Sequence, residues 1–280
     1  MRQRLISAAA GVSLGVVILF FYNTIIFNIV VALIIFTAVY EVLIATHYVA
    51  DRLLFVICAV FAVSVPFFHV PSMKLVAAIV SFLFIFTLFV YLLVHHQKIR
   101  FELIGTVFLT TMLLSVSFSC LIFIRDNYEK VALDRGLFYI CLMLFGAWMT
   151  DAGAYFIGVF FGKHKLAPGI SPKKTIEGVV GGFVFSMISF YLATLVYGIL
   201  CNYHHVVITP NYIVLTVASL LCSAAAIIGD LSASLIKREC NIKDFGNILP
   251  GHGGVLDRFD SVMFVAPLMY LLLQIFPILK

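Results

Sequence analysis

The chain alternates long apolar runs with short polar breaks. The runs fall at 5–22, 25–45, 53–71, 73–94, 103–124, 136–160, 176–200, 211–236 and 261–279. Each is long enough for a tilted helix to cross roughly 30 Å of hydrocarbon. The break between the first two, Tyr22-Asn23-Thr24, is the weakest of the series. Open sheet is excluded in that setting, because lipid cannot satisfy the hydrogen bonds of a sheet edge. The pattern therefore predicts an all-α, polytopic integral membrane protein with about nine transmembrane helices.

Basic residues give the predicted helices a direction. Thirteen of the 18 Lys and Arg fall in the segments that share a side with the N-terminus. The positive-inside rule then places the N-terminus in the cytoplasm, with the loops 161–175 and 237–260 on that same side. The expected location is a cell (inner or plasma) membrane, with the chemistry facing the cytoplasm. Composition agrees: 63% of residues are hydrophobic, 15% aromatic and 11% charged, and the mean hydropathy is +1.15. Such values exclude an ordinary soluble domain. The net charge of +5 mostly reflects the inside rule, although both loops could also attract anionic lipid or nucleotide. No nucleic-acid partner is expected. The opening MRQRLISAAAGVSLG imitates a signal peptide but leads into a second apolar run, so it is read as an uncleaved first helix. Six scattered cysteines without a CxxC predict neither a disulfide framework nor a zinc site. The pairs Gly11/Gly15, Gly158/Gly162 and Gly178/Gly182 permit close helix contact within the chain or in a homodimer.

Chemistry is concentrated late in the chain. Residues 1–135 are read as N-terminal transmembrane helices, nearly silent chemically, and 136–280 as the catalytic transmembrane region. The stretch from Gly229 to Ser261 collects Asp230, Lys237, Arg238, Lys243, Asp244, His252, Asp257, Arg258 and Asp260. A carboxylate such as Asp230, toward the end of an apolar helix, costs on the order of 2.5–3.5 kcal/mol on insertion scales and so implies a function. Helical spacing puts Ser234 and Lys237 on its stripe, so a structural Asp230–Lys237 pair is the plainer alternative. Asp257 and Asp260, three apart, share a face of any helical turn. With Asp230 they offer three carboxylates to one hard cation, Mg2+ or Mn2+. The alternative for Asp257 is an ion pair with Arg258 or Lys243 on a solvated loop. Lys237, Arg238 and Lys243 are natural phosphate partners, though each also satisfies the inside rule. His252, in the turn Pro250-Gly251-His252-Gly253-Gly254, either hydrogen-bonds a phosphate or orients the loop.

A second constellation runs from Thr150 to Glu177. Asp151 lies in the inner half of the sixth predicted helix, and Lys163, Lys165, Lys173 and Lys174 follow. Ser171 reads as an N-cap with Pro172 at the first helical position, which would make an anion-binding helix end. A Walker P-loop is absent.

These residues carry a resemblance. Ser234, Lys237-Arg238, Lys243-Asp244, Gly246, Pro250, His252-Gly253-Gly254 and Asp257-Arg258-Phe259-Asp260 look like the signature of the phosphatidate cytidylyltransferase (CDP-diglyceride synthase) family. The run from Asp151 through Lys173-Lys174 to Glu177-Gly178 is also similar to it, so the resemblance covers the C-terminal half.

The resemblance implies an enzyme of phospholipid biosynthesis that joins CTP and phosphatidic acid into CDP-diacylglycerol with release of pyrophosphate. It implies Mg2+, held by Asp230, Asp257 and Asp260, and allows a second cation such as K+. Lys237 and Lys243 would act with these acids in catalysis. Arg238, Arg258, His252, Ser234, Ser171, Asp151, Lys173 and Lys174 would bind substrate. Alternatives are another CTP-dependent membrane lipid transferase, or an ion-coupled transporter using Asp151 and Asp230. Against the transporter stand the clustering of charge on one face and the lack of inverted-repeat symmetry.

Overall fold

A computed structural model describes residues 18, 20–45, 49, 51–69, 71–128, 130–131, 133–248 and 253–279. The protein is mostly helical. Six helices among the described residues are long and apolar enough to cross a membrane. They are α1 (Ile25–Tyr40), extended to Ile44 by a π-helical turn at Glu41–Ala45, then α3 (Lys74–Val94) and α4 (Phe101–Asn127), and α5 (Arg135–Phe161), α6 (Ile176–Tyr203) and α7 (Tyr212–Glu239). The apolar runs predicted at 53–71 and 261–279 form shorter helices, α2 (Arg52–Ser64) and α9 (Val262–Ile275), the latter with Pro267 inside it. A single turn, α8 (Leu256–Phe259), precedes α9. The run predicted at 5–22 lies almost entirely outside the described residues.

The chain forms two compact units. The first comprises residues up to Ile122 together with Glu239–Phe259, and the second Phe123–Arg238 together with Asp260–Lys280. In the first unit α1, α2 and α3 pack in sequence order. Asn28 Nδ2 donates to the Pro66 carbonyl at 2.9 Å, and Phe61 stacks on Phe84 at 4.1 Å. Asp51 caps α2 by accepting from Leu53 N at 2.9 Å and also accepts from the Tyr91 hydroxyl at 2.5 Å. Those two bonds hold the Asp51 carboxyl below its ordinary value, the tyrosine bond first.

In the second unit α5 and α6 form an antiparallel pair held unusually close. A Cβ on Gly153 would stand 2.6 Å from the Gly181 carbonyl oxygen, and one on Gly178 would stand 2.7 Å from that of Ala154. The small residues of this part of the chain are thus used within it. Many large apolar side chains of α6, such as Leu192, Leu195 and Ile199, are exposed. Lipid rather than water is the solvent that suits such a surface.

The all-α expectation needs one amendment, because two short antiparallel pairs are present. These are β1 (Lys130–Val131) with β2 (Leu133–Asp134), and β3 (Lys165–Ala167) with β4 (Ser171–Thr175). The second pair builds the loop expected at 161–175. Ser171 consequently caps no helix. Residues 171–175 pair with 165–167, and α6 begins at Ile176 with Thr175 as its N-cap, accepting from Gly178 N at 3.1 Å. The local Ser-Pro signal loses to hairpin pairing and to a cap four residues later.

Candidate active site

The second unit gathers three of the expected acids. Asp151 lies on α5, Asp230 on α7 and Asp260 in the turn before α9. Gly229 permits their meeting. A Cβ there would stand 2.5 Å from the Asp260 carbonyl oxygen and 3.2 Å from Ser261 Cα, so only glycine lets that turn lie against α7 beside Asp230. Ser261 then joins two of the acids. Its hydroxyl donates to Asp151 Oδ2 at 2.5 Å, and its amide donates to Asp260 Oδ1 at 2.8 Å. Asp260 is buried, at 7% exposure. Burial pushes its carboxyl up to about 7, and the charges of Asp230 and Asp151 push the same way against Lys237 and the Ser261 amide.

The basic residues approach this cluster from the hairpin and from α7. Successive residues of a strand face opposite ways. In β4 this leaves Lys173 exposed and turns Lys174 inward, with Nζ 2.5 Å from Asp230 Oδ2. The plainer alternative for Asp230 is a structural pair with Lys237; in the structure Lys174 pairs with Asp230, and the Lys237 charge acts on Asp260. Ser234 lies one turn from Asp230 as its spacing predicts, with its hydroxyl 3.4 Å from Asp230 Oδ1. Arg238 Nε donates to the Ile170 carbonyl in the hairpin at 3.4 Å. Glu177, at the start of α6, accepts from the amides of Lys163 and His164 and from the His164 ring, tying the end of α5 to the hairpin.

The first unit holds the rest of the signature. Lys243, Asp244 and Arg258 are exposed, and His252 lies outside the described residues. Asp257 organises its own loop: its Oδ2 accepts from Phe245 N at 2.9 Å and from Gly254 N at 3.0 Å. That oxygen serves the loop's backbone, a role that neither of the two sequence readings of Asp257 included.

Glu41 belongs with these residues although sequence reasoning passed over it. It is 1% exposed and accepts from Val255 N and Leu256 N, each at 2.8 Å. The signal was present, since Glu41 is the one acid within the apolar run 25–45. A buried acid in such a run is a functional candidate in its own right.

Among the described residues no group of three His, Cys, Asp or Glu side chains has the arrangement of a metal site. The chemistry of the donors nevertheless suits a hard cation. Asp151, Asp230 and Asp260 offer oxygen alone. The charges of Asp230 and Asp151 add to burial in raising Asp260, a repulsion that a divalent ion would relieve.

Comparison with known proteins places this chain in a family. Residues 2–276 match the cytidylyltransferase family. The chain is 40% identical over 190 residues to the phosphatidate cytidylyltransferase of Bacillus subtilis (strain 168), which covers 68% of this chain and 65% of that protein. It is 41% identical over 177 residues to the phosphatidate cytidylyltransferase of Staphylococcus aureus (strain COL), covering 63% of this chain and 62% of the relative. A third, from Staphylococcus saprophyticus, is 45% identical over 140 residues, half of each chain. The aligned stretch thus spans less than two thirds of the length of each relative.

Proposed function

This chain belongs to the cytidylyltransferase family, and from that premise we propose that it makes CDP-diacylglycerol and pyrophosphate from CTP and phosphatidic acid. The observation that carries the reading is the cluster of half-buried Asp151 and Asp230 with buried Asp260, with Lys174 on Asp230, in a chain similar to proteins named phosphatidate cytidylyltransferase. A phosphate oxygen of the lipid attacks the α-phosphorus of CTP. The bond from that phosphorus to the bridging oxygen breaks, and pyrophosphate leaves with the electron pair. The nucleophile is already an anion, so no side chain needs to remove a proton from it. The protein's task is to position two polyanions and offset their charge.

We assign Mg2+ to Asp230, Asp260 and, on its place in the signature alone, Asp257, with a second cation such as K+ in the same proposal. Bound there, Mg2+ would neutralise charge on the phosphate oxygens. Lys174 brings positive charge to the cluster beside Asp230. Lys237, Lys243, Arg238 and Arg258 are assigned to the triphosphate, and Lys173 with Ser171 to the approach of the lipid phosphate. The excess of basic residues in 161–175 and 237–260 supports a cytoplasmic position for this chemistry in a cell membrane.

The test uses purified full-length protein in detergent with radiolabelled CTP, phosphatidic acid and Mg2+. Label in a CDP-lipid, with one pyrophosphate released per lipid formed, is expected. Label transferred only when phosphatidic acid is replaced by a polyprenol or its phosphate would overturn the choice of acceptor.

A further inference from the structure

Glu41 stands in the π-helical turn that follows α1, and such turns recur at functional sites because they re-aim a side chain out of the helical ladder. Its two carboxylate oxygens are divided between consecutive amides, Oε1 to Val255 and Oε2 to Leu256. The loop is shaped around that carboxylate. A Cβ on Gly254 would stand 2.6 Å from Oε2, and one on Gly246 would stand 2.8 Å from Oε1. Two glycines of the signature therefore leave the room that Glu41 fills. Asp257 takes the neighbouring amides of Phe245 and Gly254. Four amides of one loop are thus shared between two acids, one from the loop itself and one from a helix more than 200 residues earlier in the chain.

We propose that Glu41 is a positioning residue for the reaction: its carboxylate sets the backbone of residues 254–256 and so fixes the Asp257 carboxylate for its cation. The proposal rests on the assignment of Asp257 to a divalent ion made above. A carboxylate suits the task because it only accepts, so both amides are satisfied at once. Glutamine has nearly the same shape but turns an NH2 group on one of those amides, leaving two donors face to face.

The test uses full-length protein in detergent, with two readouts that need no turnover. The first is hydrogen exchange at the amides of Val255 and Leu256. The second is the affinity for Mn2+, followed by electron paramagnetic resonance. In Glu41→Gln the amide that meets the NH2 group should exchange at least about tenfold faster, the loss of one charge-assisted bond, and the other, left with a neutral acceptor, should also exchange faster than in wild type. Mn2+ should bind at least about threefold more weakly in the same variant, because a loosened loop no longer holds Asp257 in place. Glu41→Asp keeps the charge but withdraws it by one methylene, and should fall between wild type and Glu41→Gln on both readouts. It also serves as the measurement if Glu41→Gln does not fold. Wild-type exchange in these variants would overturn the proposal. Faster exchange with unchanged Mn2+ affinity would overturn it too, leaving Glu41 a packing residue. The proposed reaction is judged separately: a wild-type protein that makes no CDP-lipid refutes that reaction, while the exchange and Mn2+ results still decide Glu41.

Discussion

At the scale of single residues, strand geometry separates two lysines that the sequence presents as equals. Lys174 contacts Asp230, and Lys173 is exposed one residue away. Lys174→Ala should therefore lower the rate of CDP-lipid formation at least about tenfold, the scale of a charge-assisted bond at a reacting centre. Lys173→Ala should leave kcat within about twofold, because an exposed lysine offers the reacting centre mainly a screened charge, and should act instead by raising the Michaelis constant for phosphatidic acid. Equal losses in steady-state assays of the two variants would refute the orientation of β4. Asp260 offers a test of a different kind. Its folded pKa lies above the ordinary carboxylate value, so the folded state is progressively disfavoured as pH rises from about 4 through about 7. Asp260→Asn should accordingly raise the melting temperature of the metal-free protein at pH 8, with the gain shrinking toward pH 5. The ceiling is about 4 kcal/mol, because each tenfold loss of acidity corresponds to about 1.4 kcal/mol. The same variant should lose activity and the extra stability that Mg2+ gives wild type. A variant less stable at pH 8 than wild type in EDTA would contradict the buried-charge account. The acids of this cluster were legible because they interrupt apolar sequence. Glu41 was equally legible by that criterion, yet an isolated acid carries no spacing pattern, and its partners are backbone amides that no side-chain motif records.

At the scale of elements, hydrophobic length was the reliable signal. Among the described residues, helices occupy the eight apolar runs that follow the first, although those at 52–64 and 262–275 fall short of the apolar stretches that contain them. What periodicity could not give was the conformation of the polar joints. Ser171-Pro172 is a good helix start in isolation, and nothing local in SPKKT announces a strand. The strand exists because Lys165–Ala167 is available to pair with it and because Thr175 caps α6 instead. That cap can be tested. Thr175→Ala removes the acceptor for Gly178 N, which should destabilise the protein by about 1 kcal/mol, whereas Thr175→Ser should retain most of the stability. Chemical denaturation in mild detergent would show the difference. If the cap also sets the register of β4, Thr175→Ala should slow turnover in proportion to its effect on the Lys174–Asp230 contact. Full activity in that variant would separate the cap from the site.

At the scale of the whole molecule, the two ends of one helix can decide which side of the membrane the chemistry faces. α6 has 28 residues, about 42 Å at 1.5 Å per residue, enough to bring its two ends to opposite surfaces of a bilayer. Its N-terminal end adjoins the β3–β4 hairpin that delivers Lys174, and its C-terminal end carries Asn202. The basic residues concentrate at the hairpin end, so the positive-inside rule assigns that end to the cytoplasm. The native cysteines are all free, four of them buried and Cys141 and Cys240 partly exposed, so the background must first have these replaced. In that background, Lys165→Cys should react with an impermeant maleimide only when the cytoplasmic face is open, as in inverted vesicles. Asn202→Cys should react only in intact cells or right-side-out vesicles. Reaction of Asn202→Cys from the cytoplasmic face would overturn the orientation and move the acidic cluster to a compartment without CTP, taking the proposed reaction with it. Reaction of both positions from one side would mean instead that α6 does not span, whatever its length and composition allow.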